Sequence, residues 1–147
     1  MSSLEIEISA PIKFVWDYIA DIESHVAWMD DAESVVSTSE LKNAVDALYV
    51  CDTKVGPLKV KDKMRVTKYD PPTNMEIEHI GAVSGSGVFR LQVLSEDSTL
   101  FTWEENLVFP WYMGASIGKI IGMKLLHHIW RNNLRTLKTE IENKFNS

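Results

Sequence analysis

Three ionisable residues stand at positions that would face the interior of a sheet. Each lies two residues away from an apolar neighbour: Asp62 between Val60 and Met64, His79 after Ile77, and Glu105 after Trp103. Because successive side chains on a strand point to opposite faces, all three are predicted to point inward. A buried carboxylate or imidazole is costly unless it is paired or hydrogen-bonded, so each of them requires a partner.

A carboxylate and an imidazole on one inner surface could act as base and acid in an aldol-type ring closure. Such a reaction removes a proton next to a carbonyl group and protonates the oxygen on which charge develops. The same side chains could instead orient a hydroxyl or carbonyl group of a ligand, or form an internal polar cluster with no further role. No spacing in the sequence is a catalytic signature, so all three interpretations stay open.

The sequence favours neither a metal site nor a cofactor. His25, His127 and His128 are scattered, and the adjacent pair would point about 100° apart on a helix. The single cysteine, Cys51, excludes an internal disulfide and a cysteine-based zinc site. We therefore expect no metal and no cofactor.

The elements that would position these residues follow from periodicity. Residues 4–8 alternate apolar and polar side chains, which predicts an opening strand, and Pro11 then begins a short amphipathic helix. A second helical turn is predicted before Trp28 and a short strand over residues 34–38. From Asp46 to Phe109 strands alternate with turn residues, among them residues 84–87 (SGSG), and strands this close must pair antiparallel.

One long helix is predicted over residues 112–146, which contain no proline. Its C-terminal half carries a stripe that should pack on the sheet: Met123, Leu126, Trp130, Leu134, Leu137, Ile141 and Phe145. In its N-terminal half a glycine stripe, Gly114, Gly118 and Gly122, recurs every four residues. This stripe could leave room for a ligand, let the helix bend, or pack against a neighbouring backbone or subunit, so a homodimer is possible.

This order of elements predicts an α+β fold in which a curved antiparallel sheet of about seven strands surrounds a long C-terminal helix. The balance of 45% hydrophobic and 24% charged residues favours one globular domain over residues 1–147. A net charge of −6 argues against nucleic-acid binding. The first residues lack a signal-peptide pattern and residues 111–121 are too short an apolar stretch to span a bilayer, so we expect a cytoplasmic protein without an integral membrane segment.

The chain resembles the START-like (SRPBCC, Bet v 1-like) superfamily, and within it the polyketide cyclase/dehydrase and lipid-transport group. The resemblance is carried by residues 6–21 (IEISAPIKFVWDYIAD), residues 99–104 (TLFTWE), and Leu134, Leu137 and Ile141 on the last helix. One departure is residues 42–47 (KNAVDA), where the superfamily usually has a glycine-rich entry into the third strand. We expect the hairpin there to have a different shape.

The resemblance implies a helix-grip fold with a deep cavity for a lipid, sterol, polyketide or similar hydrophobic molecule. Strand alternation, together with the helix and loop ends, gives the predicted ligand-binding residues: Trp28, Met64, His79, Phe89, Trp103, Glu105, Met113, Ile117 and Ile121. The first alternative is a cyclase or dehydratase that uses Glu105, His79 or Asp62. The second is a protein-interaction domain like the chaperone activators, with a collapsed cavity and a partner on the basic row of residues 59–65.

Overall fold

The computed structural model describes residues 2–55, 58–81, 83–108 and 115–147, with the backbone alone for Ser2, Val55, Leu58 and residues 115–123. Along these residues the elements are β1 (Ser2–Ile8), α1 (Ile12–Ile19), a 3-10 helix (Ile22–Ala27), β2 (Ala32–Ser37), β3 (Leu48–Val55), β4 (Leu58–Asp70), β5 (Asn74–Ile80), β6 (Ser84–Ser95), β7 (Ser98–Val108) and α2 (Ala115–Phe145). This order confirms the predicted α+β helix-grip fold. No helix in the described part of the chain is long and apolar enough to cross a membrane.

The seven strands form one antiparallel sheet in the order β1-β7-β6-β5-β4-β3-β2. Each strand from β2 to β7 pairs with the next strand along the chain. The first strand, β1, pairs with the last strand, β7, with Leu4 opposite Trp103. The inner face of this sheet carries the apolar members of each alternating strand, including Met64, Phe89 and Phe101. Period-2 alternation therefore places the core on one side of the sheet.

Helix α2 closes the core with the apolar stripe of its C-terminal half. Trp130, Leu134, Leu137 and Ile141 are buried and recur at spacings of three and four residues. Leu126 is partly buried against the same core, and Phe145 lies at the helix end with its ring centroid 5.2 Å from that of Phe14. A single helical face thus provides most of the contact with the sheet.

Helix α1 begins directly after Pro11, whose fixed φ of −62° suits the entry into a helix. The helix buries Val15, Trp16 and Ile19. The Trp16 ring packs edge-on against Tyr69 of β4, with 5.4 Å between the centroids, and the Tyr69 hydroxyl donates to the carbonyl of Ala20 at 2.9 Å. These contacts fix α1 across one end of the sheet.

The connection before β3 shows how the chain turns without the glycines that are usual there. Asn43 and Asp46 both adopt positive φ values, 53° and 72°, a conformation that asparagine and aspartate tolerate better than most residues. The Asn43 side chain accepts hydrogen bonds from the Ile22 amide at 3.0 Å and from the Tyr49 hydroxyl at 3.1 Å. Local side-chain hydrogen bonds therefore stabilise a bend that glycine would make without them.

The prediction of a turn over residues 84–87 is wrong, because these residues begin β6. Gly85 pairs with His79 of β5 and with Leu107 of β7, and Gly87 pairs with Ile77 and Glu105 in the same way. The two glycines occupy inward positions of the strand. The local sequence of this segment is typical of a turn, but its two glycines instead leave two inward positions of the sheet without a side chain.

Candidate functional site

A cavity of about 200 Å³ lies between the inner face of the sheet and α2. Its wall is largely apolar and includes Val35, Met64, Met75, Phe89, Trp103 and Trp130. Ionisable side chains also line it, among them Asp31, Asp62, His79 and Glu105. An apolar pocket with a few convergent polar groups is the usual form of a small-molecule site.

Glu105 and His79 form the ionic centre of this cavity. The Nε2 atom of His79 lies 3.5 Å from Oε2 of Glu105, and Nε1 of Trp103 donates a hydrogen bond to Oε1 of Glu105 at 2.9 Å. Burial by itself lowers the pKa of His79, but Glu105 and, to a smaller extent, Asp62 outweigh it, so that this pKa lies above its usual value. The pair is therefore suited to hold a proton on the imidazole.

The glycines of β6 explain how two strands that are not neighbours bring these side chains together. His79 is on β5 and Glu105 on β7, roughly 10 Å apart at two strand spacings. Gly85 and Gly87 lie between them and carry no side chain. A Cβ atom added at Gly87 would lie 2.7 Å from Oε1 of Glu105, so the carboxylate occupies the space that a larger residue would fill.

Replacing Gly87 by alanine is therefore expected to displace the Glu105 carboxylate and to lower the pKa of His79. Burial of the imidazole is unchanged in this variant while the charge that opposes it has moved away. The free energy of unfolding should fall by about 1–3 kcal/mol, as for other insertions into a packed site. An NMR titration of the histidine ring protons measures the pKa directly.

Ser86→Ala is the matched control, because Ser86 is exposed on the other face of the same strand. It should leave the His79 titration unchanged. A His79 pKa that is equal in Gly87→Ala and the wild type would show that Glu105 does not set it.

Asp62 is the third predicted ionisable residue and lies on β4, next to the strand of His79. Its side chain is buried, and its Oδ1 atom has no hydrogen-bond partner among the described residues. A Cβ atom added at Gly81 would lie only 2.6 Å from that oxygen. Burial raises the pKa of Asp62, and the positive charge of His79 opposes this rise.

Asp31, just before β2, is a cavity residue that the sequence patterns missed. Its Oδ1 atom accepts a hydrogen bond of 2.9 Å from the amide of Asn133, a fully buried residue of α2, which also accepts from the backbone amide of Asp30 at 3.0 Å. Burial raises the pKa of Asp31, and the hydrogen bond from Asn133 opposes this rise. A polar residue on the buried face of a helix was the available signal, because such a side chain must have a partner.

His25 and Cys51 also line the cavity and are uncharged there. The Nε2 atom of His25 lies 2.8 Å from the carbonyl of Ile19, to which it donates, and burial lowers the pKa of the imidazole to about 4. Burial raises the pKa of the Cys51 thiol. Both residues therefore extend the uncharged part of the wall at neutral pH.

The structure gathers six of the predicted residues around this one cavity: Asp62, Met64, His79, Phe89, Trp103 and Glu105. Trp28 does not line it, contrary to prediction. Its ring is buried in the core, with centroids 5.8 Å from both Phe89 and Trp103. As the residue that ends the 3-10 helix, Trp28 points into the protein and not toward a cavity entrance.

The other predicted lining residues belong to the start of the long helix. Met113 lies outside the described residues, as do the side chains of Ile117 and Ile121. The glycine stripe falls in the same region, so its role stays a prediction. Across the part of the chain that is described, no group of three histidine, cysteine or acidic side chains is placed to hold a metal ion.

Comparisons with known proteins agree with this architecture. A model of the family described as polyketide cyclase/dehydrase and lipid transport matches residues 2–142. A search of curated protein sequences found no match.

Three solved structures illustrate the similarity of fold. The Zhui aromatase/cyclase from Streptomyces sp. R1128 is 15% identical, with a TM-score of 0.79 over 97% of this chain and 93% of that chain. A conserved protein from Geobacillus kaustophilus is 18% identical, with a TM-score of 0.74 over 96% and 94%. The di-domain ARO/CYC StfQ from the steffimycin biosynthetic pathway is 13% identical, with a TM-score of 0.72 over 98% of this chain and 45% of that chain.

Proposed function

Because the chain belongs to the polyketide cyclase/dehydrase and lipid transport family, we propose that it binds a small hydrophobic or amphipathic molecule between its sheet and α2. The observation that carries the proposal is the cavity of about 200 Å³ between these two elements. Its aromatic and aliphatic wall would bury the apolar body of a ligand, and its few polar groups would fix the orientation of that ligand. The aromatase/cyclase structures of the same fold support a polyketide-like or lipid-like ligand.

Val35→Phe is the variant that tests this proposal most cleanly. Val35 lines the cavity and is 7% exposed, whereas Val36 lies on the opposite face of β2 and is 54% exposed. A phenyl ring at position 35 would occupy space that the ligand needs. We expect Val35→Phe to weaken binding of the neutral apolar dye Nile red at least about tenfold, which is about 1.4 kcal/mol.

Val36→Phe adds the same ring one residue away and should bind the dye as the wild type does. Dye fluorescence gives both affinities, and thermal unfolding shows whether each variant is folded. Equal affinities in folded Val35→Phe and Val36→Phe would place the dye outside the cavity and would contradict the proposal.

A second candidate function is ring closure or dehydration of a polyketide-like substrate. The observation that favours it is the contact between His79 and Glu105 inside the cavity, 3.5 Å from Nε2 to Oε2. Glu105 could accept a proton from carbon next to a carbonyl group, and a protonated His79 could donate to the oxygen on which charge develops. This role requires that substitution of either residue abolishes turnover and leaves ligand binding largely intact.

The protein-interaction alternative predicts a collapsed cavity, and an open one is seen instead. The residues of the basic row alternate along β4 with Asp62 and Met64, which point inward. Lys59, Lys61 and Lys63 therefore lie on the outer face of the strand and are exposed to solvent. We propose a cytoplasmic protein that binds no nucleic acid, consistent with its net charge of −6. Pairing of two chains through the glycine stripe remains a prediction.

A further inference from the structure

Three carboxyl groups line the cavity together with two imidazoles, those of His25 and His79. Asp31 lies just before β2, Asp62 on β4 and Glu105 on β7, and His79 on β5 lies between the last two. Among the lining residues that the structure describes there is no lysine and no arginine. The site therefore carries more negative than positive charge when its groups are ionised.

Two of these carboxyl groups have oxygen atoms with no hydrogen-bond partner among the described residues. Oδ1 of Asp62 and Oε2 of Glu105 are both buried, in residues that are 9% and 8% exposed, and Oε2 of Glu105 has only the 3.5 Å contact with Nε2 of His79. A buried polar atom without a partner costs about 1–3 kcal/mol, and more when it is charged. Carboxylate acceptors of this kind, in residues that line the cavity, are suited to a ligand that supplies hydrogen-bond donors and positive charge.

The groups of the protein itself satisfy only part of this demand. Glu105 receives one hydrogen bond from Trp103, and Asp31 receives one from Asn133. Both donors are neutral. His79 approaches Glu105 at 3.5 Å, whereas His25, the other imidazole of the described wall, is uncharged at neutral pH and donates to the carbonyl of Ile19. One imidazolium cannot balance three carboxylates, so the protein leaves room for a second cation.

The rest of the wall indicates what kind of cation would fit. Phe89, Trp103 and Trp130 present aromatic rings to the same cavity, and ring faces attract cations by about 0.5–2 kcal/mol. Aliphatic and sulfur-containing side chains fill most of the remaining surface. A small inorganic cation would gain little from such a wall, whereas an organic amine would use both the carboxylates and the apolar surface.

We propose that the ligand of this cavity is a hydrophobic amine, whose ammonium group lies among Asp31, Asp62 and Glu105, and that the cavity rejects carboxylates of the same size. This inference rests on the proposed binding function and names the chemical class of its ligand. The unpartnered Oδ1 atom of Asp62 and the carboxylate of Glu105 accept hydrogen bonds from the ammonium group. A ligand carboxylate in the same place would meet like charges and no additional donor.

Three naphthalene probes with the same apolar body test the inference by isothermal titration calorimetry at neutral pH and low salt. They are 2-naphthylmethylamine, 2-naphthylmethanol and 2-naphthoic acid. We expect the amine to bind at least about tenfold more tightly than the alcohol, and the alcohol more tightly than the acid. Asp62→Asn and Glu105→Gln should each reduce the preference for the amine and change alcohol binding little.

Asp52→Asn is the matched control, since Asp52 lies on β3 beside Cys51 but its carboxylate contacts Ser34 and Lys61 outside the cavity. It should leave the ratio of amine to alcohol affinity unchanged. If the amine binds no more tightly than the alcohol or the acid, the inference is wrong while the binding function stands. If none of the three probes binds, both the inference and the binding function fail.

Discussion

Leu137→Ala is expected to lower the free energy of unfolding by about 2–5 kcal/mol. Leu137 is fully buried on the face of α2 that packs against the sheet. Its removal leaves a cavity in addition to the loss of buried apolar area, and close-packed surroundings relax only in part. Chemical denaturation followed by far-UV circular dichroism gives the free energy and, from its slope, shows whether unfolding stays cooperative.

Leu125→Ala makes the same change on the same helix at a side chain that is 44% exposed. It should alter the free energy of unfolding by no more than about 0.5 kcal/mol, as surface substitutions generally do. Similar losses in the two variants would mean that the face of α2 containing Leu137 does not grip the sheet.

Asn133→Asp is expected to cost about 3–5 kcal/mol of stability at neutral pH, because it places an unpaired buried carboxylate beside another one. Asn133 is fully buried and donates to Oδ1 of Asp31 at 2.9 Å. The substitution removes this donor and keeps the shape of the side chain nearly unchanged. Its effect is therefore electrostatic.

The pH dependence of this loss distinguishes a charge effect from a packing effect. Two adjacent carboxyl groups have a raised pKa in the folded protein, so the folded state binds more protons than the unfolded state above about pH 4. The difference between Asn133→Asp and the wild type should therefore shrink as the pH falls toward that value. A difference that is constant from neutral to acidic pH would contradict the charge effect.

Asn132→Asp provides the control for this variant, since the hydrogen bonds of Asn132 with His128 and Arg135 lie at the surface. An added negative charge beside Arg135 should be tolerated within about 0.5 kcal/mol. A large loss in Asn132→Asp would indicate that any carboxylate on this part of α2 is unfavourable.

Helix α2 connects the stability of the fold with the chemistry of the cavity. Its residues Leu134, Leu137 and Ile141 pack on the sheet, while Trp130 lines the cavity and Asn133 holds the carboxylate of Asp31. All five lie on adjoining positions of one helical surface. The contacts that hold the helix on the sheet therefore also fix one wall of the candidate site.

Alternation along the strands predicted the inward direction of Asp62, His79 and Glu105, and with the order of the elements and the long last helix it predicted the α+β fold. Side chains on a strand alternate with a period of two, so a few apolar residues fix the face of every other residue. Alternation predicts on which face of the sheet a side chain lies, but it does not predict the distance between side chains on different strands. The approach of His79 to Glu105 depends on Gly85 and Gly87, and their local sequence is typical of a turn.

Asp31 and Trp28 show where reasoning from local pattern failed. Both lie between the 3-10 helix and β2, where no period relates a residue to a face. The direction of each side chain is set by a tertiary contact, with Asn133 for Asp31 and with Phe89 and Trp103 for Trp28. Such contacts join residues about 60 to 100 positions apart and have no local sequence signature.

The tryptophan and phenylalanine rings of the inner face form a continuous cluster, and strand alternation predicted that Phe89 and Trp103 point into it. Phe89 lies 5.2 Å from Phe101 and 5.6 Å from Trp103 between ring centroids, and Trp103 lies 5.4 Å from Trp130 of α2. Phe89, Trp103 and Trp130 line the cavity, whereas Phe101 is fully buried in the core and does not line it. The same group of rings therefore contributes both to the core and to the wall of the cavity.

Native mass spectrometry of the protein purified from its own host tests the presence of a cavity ligand most directly. The wild type and Val36→Phe should carry one additional small organic molecule per chain, released by organic extraction, and Val35→Phe should carry none. Wild-type protein without bound molecule, or with the same molecule retained in folded Val35→Phe, would contradict binding in the cavity between the sheet and α2.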